Sequence, residues 1–152
     1  MAALRNSDSS RLTRLEKRLV EKGVRLTPLR RLVLSILIEA EAPIKAYDLL
    51  ESARSRGQRL TPTSIYRVLD FLQESGLIHR VNSLNAFVLC NDSHRESSHH
   101  PVIVVCPGCG KTTEINDAAL AENLSASLVA LGHPVEMVSI EVHGVCPICL
   151  GK

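Results

Sequence analysis

Apolar positions in the first half of the chain recur at helical spacing, and each run is bracketed by residues that stop or start helices. Over residues 11–21, Leu12, Leu15, Leu19 and Val20 fall on one face, with Arg11, Arg14, Lys17 and Arg18 around it, which predicts an amphipathic helix. The polar, Ser-rich residues 1–10 before it are expected to be loose, and Gly23 ends the run. Thr27 followed by Pro28 reads as an N-cap with proline at the first helical position. The helix it opens, over 29–41, carries Val33, Leu34, Leu37 and Ile38 and stops before Pro43. A third helix is expected over 46–55, ahead of a turn at Gly57. Thr61 and Pro62 repeat the start signal. Ile65, Val68, Leu69 and Leu72 then line one side of a helix reaching Ser75, leaving Ser64, Arg67, Asp70 and Glu74 on the other.

After Gly76 the pattern changes to short apolar runs, 77–81 and 86–90, separated by Asn82-Ser83-Leu84-Asn85. That is a hairpin signature. Short helices leading directly into a hairpin are the sequence form of a winged helix-turn-helix. Residues 91–100 are a polar link. Beyond it come an apolar run at 102–106, a short strand at 112–115, an amphipathic helix over 117–131 and a last strand at 135–143, where Val138, Ile140 and Val142 alternate. The expected fold class is therefore α+β. A winged-helix domain is expected over 1–84, the wing end and a hinge or linker over 85–101, and a small α/β domain over 102–152. A unit as small as the last cannot bury a large core alone and needs a staple, a partner, or both.

Charge sharpens the division. Residues 1–84 hold 15 Lys and Arg against 9 Asp and Glu, whereas residues 85–152 hold 3 against 7, so a basic half precedes an acidic one. The basic half is the candidate for contact with a polyanion. No apolar run approaches the roughly 20 residues of a membrane helix. The first ten residues lack a secretory apolar stretch, so a cytoplasmic location and no membrane partner are expected. In a reducing compartment, five cysteines point to metal or redox chemistry rather than to disulfides.

Cys106, Cys109, Cys146 and Cys149 form two Cys-x-x-Cys knuckles separated by 36 residues. Each tight turn aims two thiolates at one point, and two such turns complete a tetrahedral sulfur site for structural zinc. Independent redox motifs are the competing reading, but Cys149 has no long helix after it of the kind that thioredoxin-type motifs use. Cys90 is left over, with His79, His94, His99, His100 and Glu114 around it in sequence. These residues could assemble a metal sensor whose occupancy selects one domain orientation. Spacing by itself favours the plainer reading of a buried free cysteine and solvated histidines.

Several stretches together resemble the ferric uptake regulator superfamily, most closely its zinc uptake regulator branch. They are Val-Arg-Leu-Thr-Pro-Leu-Arg at 24–30, Ala-Tyr-Asp-Leu-Leu at 46–50, Pro-Thr-Ser-Ile-Tyr-Arg-Val-Leu-Asp-Phe-Leu at 62–72, Phe-Val-Leu-Cys at 87–90, Cys-Pro-Gly-Cys-Gly at 106–110 and His-Gly-Val-Cys-Pro-Ile-Cys at 143–149. The resemblance implies a homodimer that binds inverted-repeat operator DNA when metal-loaded, with 1–84 as the DNA-binding domain and 102–152 as the metal-binding dimerisation domain. It implies two zinc ions per subunit, one structural and one regulatory, the second held by His79, Cys90, His99 and Glu114, with His100 a possible substitute. The chain departs from iron sensors in two ways. His99-His100-Pro101-Val102 lacks a third histidine, and residues 1–78 contain none.

For DNA contact, Arg67 lies early on the exposed face of the helix opened by Pro62, where a helix-turn-helix reads base edges and arginine pairs with guanine. Tyr66 belongs to the family's Tyr-Arg motif, and Tyr47 lies where relatives contact DNA. Thr63, Ser64, Arg25, Arg30 and Arg31 suit phosphate contacts. Glu51 and Arg54 could link neighbouring dimers on one operator. His133 could belong to a third metal site, and His143 supports the second knuckle. The expected function is a zinc-responsive repressor of zinc uptake genes, with no small-molecule substrate. The same fold sensing iron, manganese or nickel is the near alternative. A small zinc enzyme would need an open metal position or a nucleophile–base pair, and none is legible. A purely structural interaction module would leave the helices and wing unexplained.

Overall fold

The computed structural model describes residues 6–91, 101–135 and 138–151. By contact it divides into two compact units, Met1–Ser93 and His94–Lys152.

In the first unit, α1 (Asn6–Glu21), α2 (Pro28–Glu39), α3 (Ala46–Ser55) and α4 (Pro62–Glu74) precede a hairpin of β2 (Ile78–Val81) and β3 (Ala86–Leu89). Helix α1 begins inside the segment expected to be loose. Residues 6–10 are helical, with Asp8 in the first turn, where its charge complements the unpaired N–H groups. Leu12, Leu15 and Leu19 are buried, but Val20 is 54% exposed, because it sits a further 100° or so around the helix from Leu19. Both cap-and-proline signals hold: Thr27 accepts from the Arg30 N–H and Thr61 from the Ser64 N–H. All four apolar positions named on α4 are buried, as are the four named on α2. Together with α3 and Ile78 they form one continuous core.

Gly76, at φ +69°, takes the left-handed turn from α4 into the hairpin, and the Leu77 N–H closes it on Leu72 O at 2.9 Å. A strand of two residues, β1 (Ile44–Lys45), pairs with β3, giving an antiparallel sheet in the order β1-β3-β2. Its brevity hid it from any periodicity argument. The helices and this sheet make a winged helix-turn-helix.

The second unit holds β4 (Pro101–Val105), β5 (Thr112–Asn116), α5 (Ala118–Ala130), β6 (Ile140–His143) and a short α6 (Pro147–Leu150). The sheet order is β5-β4-β6, with β4–β5 antiparallel and β4–β6 parallel. Strand β6 starts at Ile140, later than the expected 135, and Val142 is 43% exposed rather than buried. Val142, Val104 and Thr113 stand side by side by register, as do Ile140, Val102 and Ile115, so one face of the sheet combines these six residues. Ile115 and Thr113 are exposed as well, so part of that face is uncovered among the described residues. None of the described helices is long and apolar enough to cross a membrane.

Candidate metal centre and nucleic-acid interface

The parallel pairing of β4 and β6 explains how knuckles so far apart in sequence meet. Parallel strands carry their C-terminal ends to the same edge of a sheet. The ladder closes at Val105↔His143, and the Gly144 N–H adds a further bond to Val105 O at 3.0 Å. Cys106 and Cys146 follow at once.

The first knuckle is a turn in which the Gly110 N–H donates to Cys106 O at 2.8 Å and the Cys106 N–H to Lys111 O at 2.9 Å. The second opens α6, with the Cys149 and Leu150 N–H groups both donating to Cys146 O.

Their four sulfurs lie within 4.8 Å of one another. Cys109 Sγ and Cys146 Sγ are 3.8 Å apart. A tetrahedron with sulfurs about 2.3 Å from its centre has edges of about 3.8 Å, so this spacing is that of a four-cysteine zinc site and far from a disulfide.

The surroundings fit a cation. The Cys146 N–H donates to Cys106 Sγ at 3.3 Å and, against burial, brings the Cys106 thiol down to about 6. Cys149 is pushed up to about 12, first by its sulfur contact with Cys146, then by those with Cys109 and Cys106. Four thiolates at such distances repel one another, and a dication at their centre removes that cost. Gly108 completes the cradle, because a Cβ there would lie 3.2 Å from Cys149 Sγ and 3.8 Å from Cys106 Sγ. Knuckle spacing alone carries no signal for this close approach. A metal held by all four sulfurs would have no open coordination position, which suits a structural rather than a catalytic site.

Of the second proposed ligand set, the first unit supplies His79 and Cys90. Antiparallel register sets His79 opposite Val88, and the Cys90 N–H donates to Leu77 O at 2.9 Å, which continues the ladder. His79 follows Leu77 by two, and Cys90 follows Val88 by two. The two ligand types are therefore diagonal neighbours on one face of the wing. Their ligand atoms come within 4.8 Å of each other, Cys90 being buried and His79 half-buried. Glu114 lies on β5 of the second unit, half-buried. His94, His99 and His100 lie outside the described residues. His133 joins no cluster of ligand-type side chains among the described residues. His143 Nε2 is 3.8 Å from Glu141 Oε1.

On α4, Thr63, Tyr66 and Arg67 are exposed and Ser64 half-exposed. Arg67 has no ion-pair partner among the described residues. Tyr47, at the start of α3, is 68% exposed, and Arg25 is exposed in the link before α2. Four other arginines are engaged within the unit. Arg31 meets Glu16 at 2.8 Å, and Arg30 lies over the ring of Phe71. Arg54 donates from Nη2 to Leu60 O at 3.0 Å and from Nε to the same oxygen at 3.3 Å, which ties down the turn that leads to Thr61. Arg56 makes a two-pronged pair with Glu39 at 3.0 and 2.7 Å. Tertiary pairings of this kind carry no local sequence signal.

The ferric uptake regulator family model matches residues 21–143 of the chain. A zinc uptake regulation protein of Escherichia coli (strain K12) is 33% identical over 139 residues, which span 91% of this chain and 81% of that protein. Among solved structures, a zinc uptake regulator complexed with zinc and DNA aligns at TM-score 0.89 and 31% identity, over 97% of each chain. The holo form of XcZur aligns at TM-score 0.84 and 35% identity, over 94% of this chain and 99% of its own.

Proposed function

The chain belongs to the ferric uptake regulator family, and on that premise we propose that it is a zinc-responsive repressor that binds operator DNA as a homodimer and controls zinc uptake genes in the cytoplasm. Each subunit holds two zinc ions in this reading. Cys106, Cys109, Cys146 and Cys149 hold the structural one; His79, Cys90, His99 and Glu114 hold the regulatory one, with His100 able to stand in for His99. The observation that carries the proposal is the pairing of a closed four-cysteine centre with a separate imidazole–thiolate pair on the wing. A closed centre cannot report a changing metal supply, so a responsive protein needs a second set of ligands. A thiolate among nitrogen and carboxylate donors favours zinc over the harder iron and manganese ions.

Bound at that second set, zinc supplies a link that holds better in one arrangement of the chain than in others, and this shifts the population towards it. Arg67 then reads base edges, with Tyr66 and Tyr47 beside it and Thr63, Ser64 and Arg25 on phosphates.

Metal content and operator binding, measured together for the wild type, Cys90→Ser and Cys109→Ser, test the reading. Cys90→Ser should keep its fold and one zinc per subunit and lose zinc-responsive DNA binding. Cys109→Ser should lose the dimer. Normal zinc-dependent binding by Cys90→Ser would remove the sensor assignment. Titrating the stripped protein with iron, manganese, nickel and zinc separates this reading from the other metals.

A further inference from the structure

Helix α2 opens with adjacent cations, Arg30 and Arg31, in its first turn, at the positive end of the helix dipole, and no acidic residue shares that turn. Each cation is compensated from another element. Arg31 has Glu16 of α1. Arg30 has an aromatic face, its guanidinium carbon lying 3.4 Å from the centroid of the Phe71 ring. Phe71 belongs to α4, the helix that presents Arg67, and is half-buried against the core. It follows Arg67 by four residues, so the two side chains are neighbours along one side of the helix.

Ile65, Val68, Leu69 and Leu72 fix how deeply α4 sits. Aliphatic contacts of that kind set which face of the helix is buried, but being non-directional they leave its fine rotation about its own axis to other contacts. A planar cation stacked on a ring is directional.

We propose that Arg30 is a positioning residue for DNA reading: stacked on Phe71, it fixes the rotation of α4 and hence the reach of Arg67, and it is not itself a phosphate contact. This rests on the reading that α4 enters the DNA.

The test uses the zinc-loaded, full-length dimer and two duplexes of equal length. One carries the site that the wild type enriches from a random-sequence library; the other has mixed sequence. Each is titrated at several salt concentrations. Arg30→Met should lower the preference for the enriched duplex by roughly three- to tenfold, the range that a partly desolvated cation–π contact can supply. It should leave mixed-sequence affinity and the salt slope unchanged. Phe71→Leu should do the same, and the double variant should lose no more than either single one.

A salt slope shallower by about 0.9 would instead make Arg30 a phosphate contact. An unchanged preference with only a lower unfolding midpoint would reduce the stack to a structural role, and additive losses would mean that Arg30 does not act through Phe71. Should Phe71→Leu fold poorly by circular dichroism, the preference and salt slope of Arg30→Met decide alone. Arg67→Ala is the control for the underlying reading. If it keeps the wild-type preference, α4 does not read the DNA, a failure separate from that of the Arg30 variants.

Discussion

Single atoms decide the metal centre. Gly108→Ala adds one methyl group 3.2 Å from Cys149 Sγ, closer than ordinary contact, so the sulfur or the turn must give by a few tenths of an ångström and the tetrahedron is strained. The variant should therefore surrender its structural zinc to a chelator at least several-fold faster than wild type, at the same protein concentration and pH. Zinc release followed with a colorimetric chelator measures this, and a wild-type rate would show that the cradle is slack. The four-cysteine set was legible because ligand types at knuckle spacing are a local signal. The wing pair was legible in part. Cys90 was visible as a leftover thiol, but its closeness to His79 depends on hairpin register, which fixes diagonal neighbours only once the strands are paired. The engagements of Arg30, Arg54 and Arg56 were not legible, since their partners are set by how helices pack and turn.

Among the elements, α4 rests on its cap. Thr61 Oγ1 accepts from the Ser64 N–H at 3.3 Å and lies 3.0 Å from Ser64 Oγ. Thr61→Ala removes both contacts and should destabilise the first unit by about 1 kcal/mol. Chemical denaturation would show this, with faster amide exchange at Ser64; an unchanged midpoint would mean that Pro62 alone starts the helix. The major helices and the wing hairpin were readable because caps, prolines and apolar periodicity agreed there. Three features were not. The start of α1 carries too few apolar residues to show a period, β1 and α6 are too short to have one, and β6 lost its expected alternation because one face of its sheet is uncovered.

For the molecule as a whole, a second exposed apolar surface, on α5, bears on assembly. Leu120, Leu124 and Leu128 on α5 and Leu131 at its C-cap follow one another at spacings of four, four and three, which makes a single stripe. Leu120, Leu124 and Leu131 are exposed, and only Ala121 of α5 is buried. Family members act as dimers, and a second copy is the natural cover for such a stripe. Leu124→Glu should accordingly raise the dimer dissociation constant by at least tenfold in sedimentation equilibrium and weaken operator binding with it, while circular dichroism stays native. A variant that remains dimeric would move the interface off α5. The closed sulfur cage also has a bearing on timing. A metal held there leaves only when a thiolate lets go, whereas the proposed regulatory set, with imidazole and carboxylate members, can exchange more readily. In the proposed reading, scarcity therefore disarms molecules without dismantling them, and the next zinc ions to arrive find repressor already folded. Silencing can then resume at the pace of ligand exchange, with no wait for fresh polypeptide.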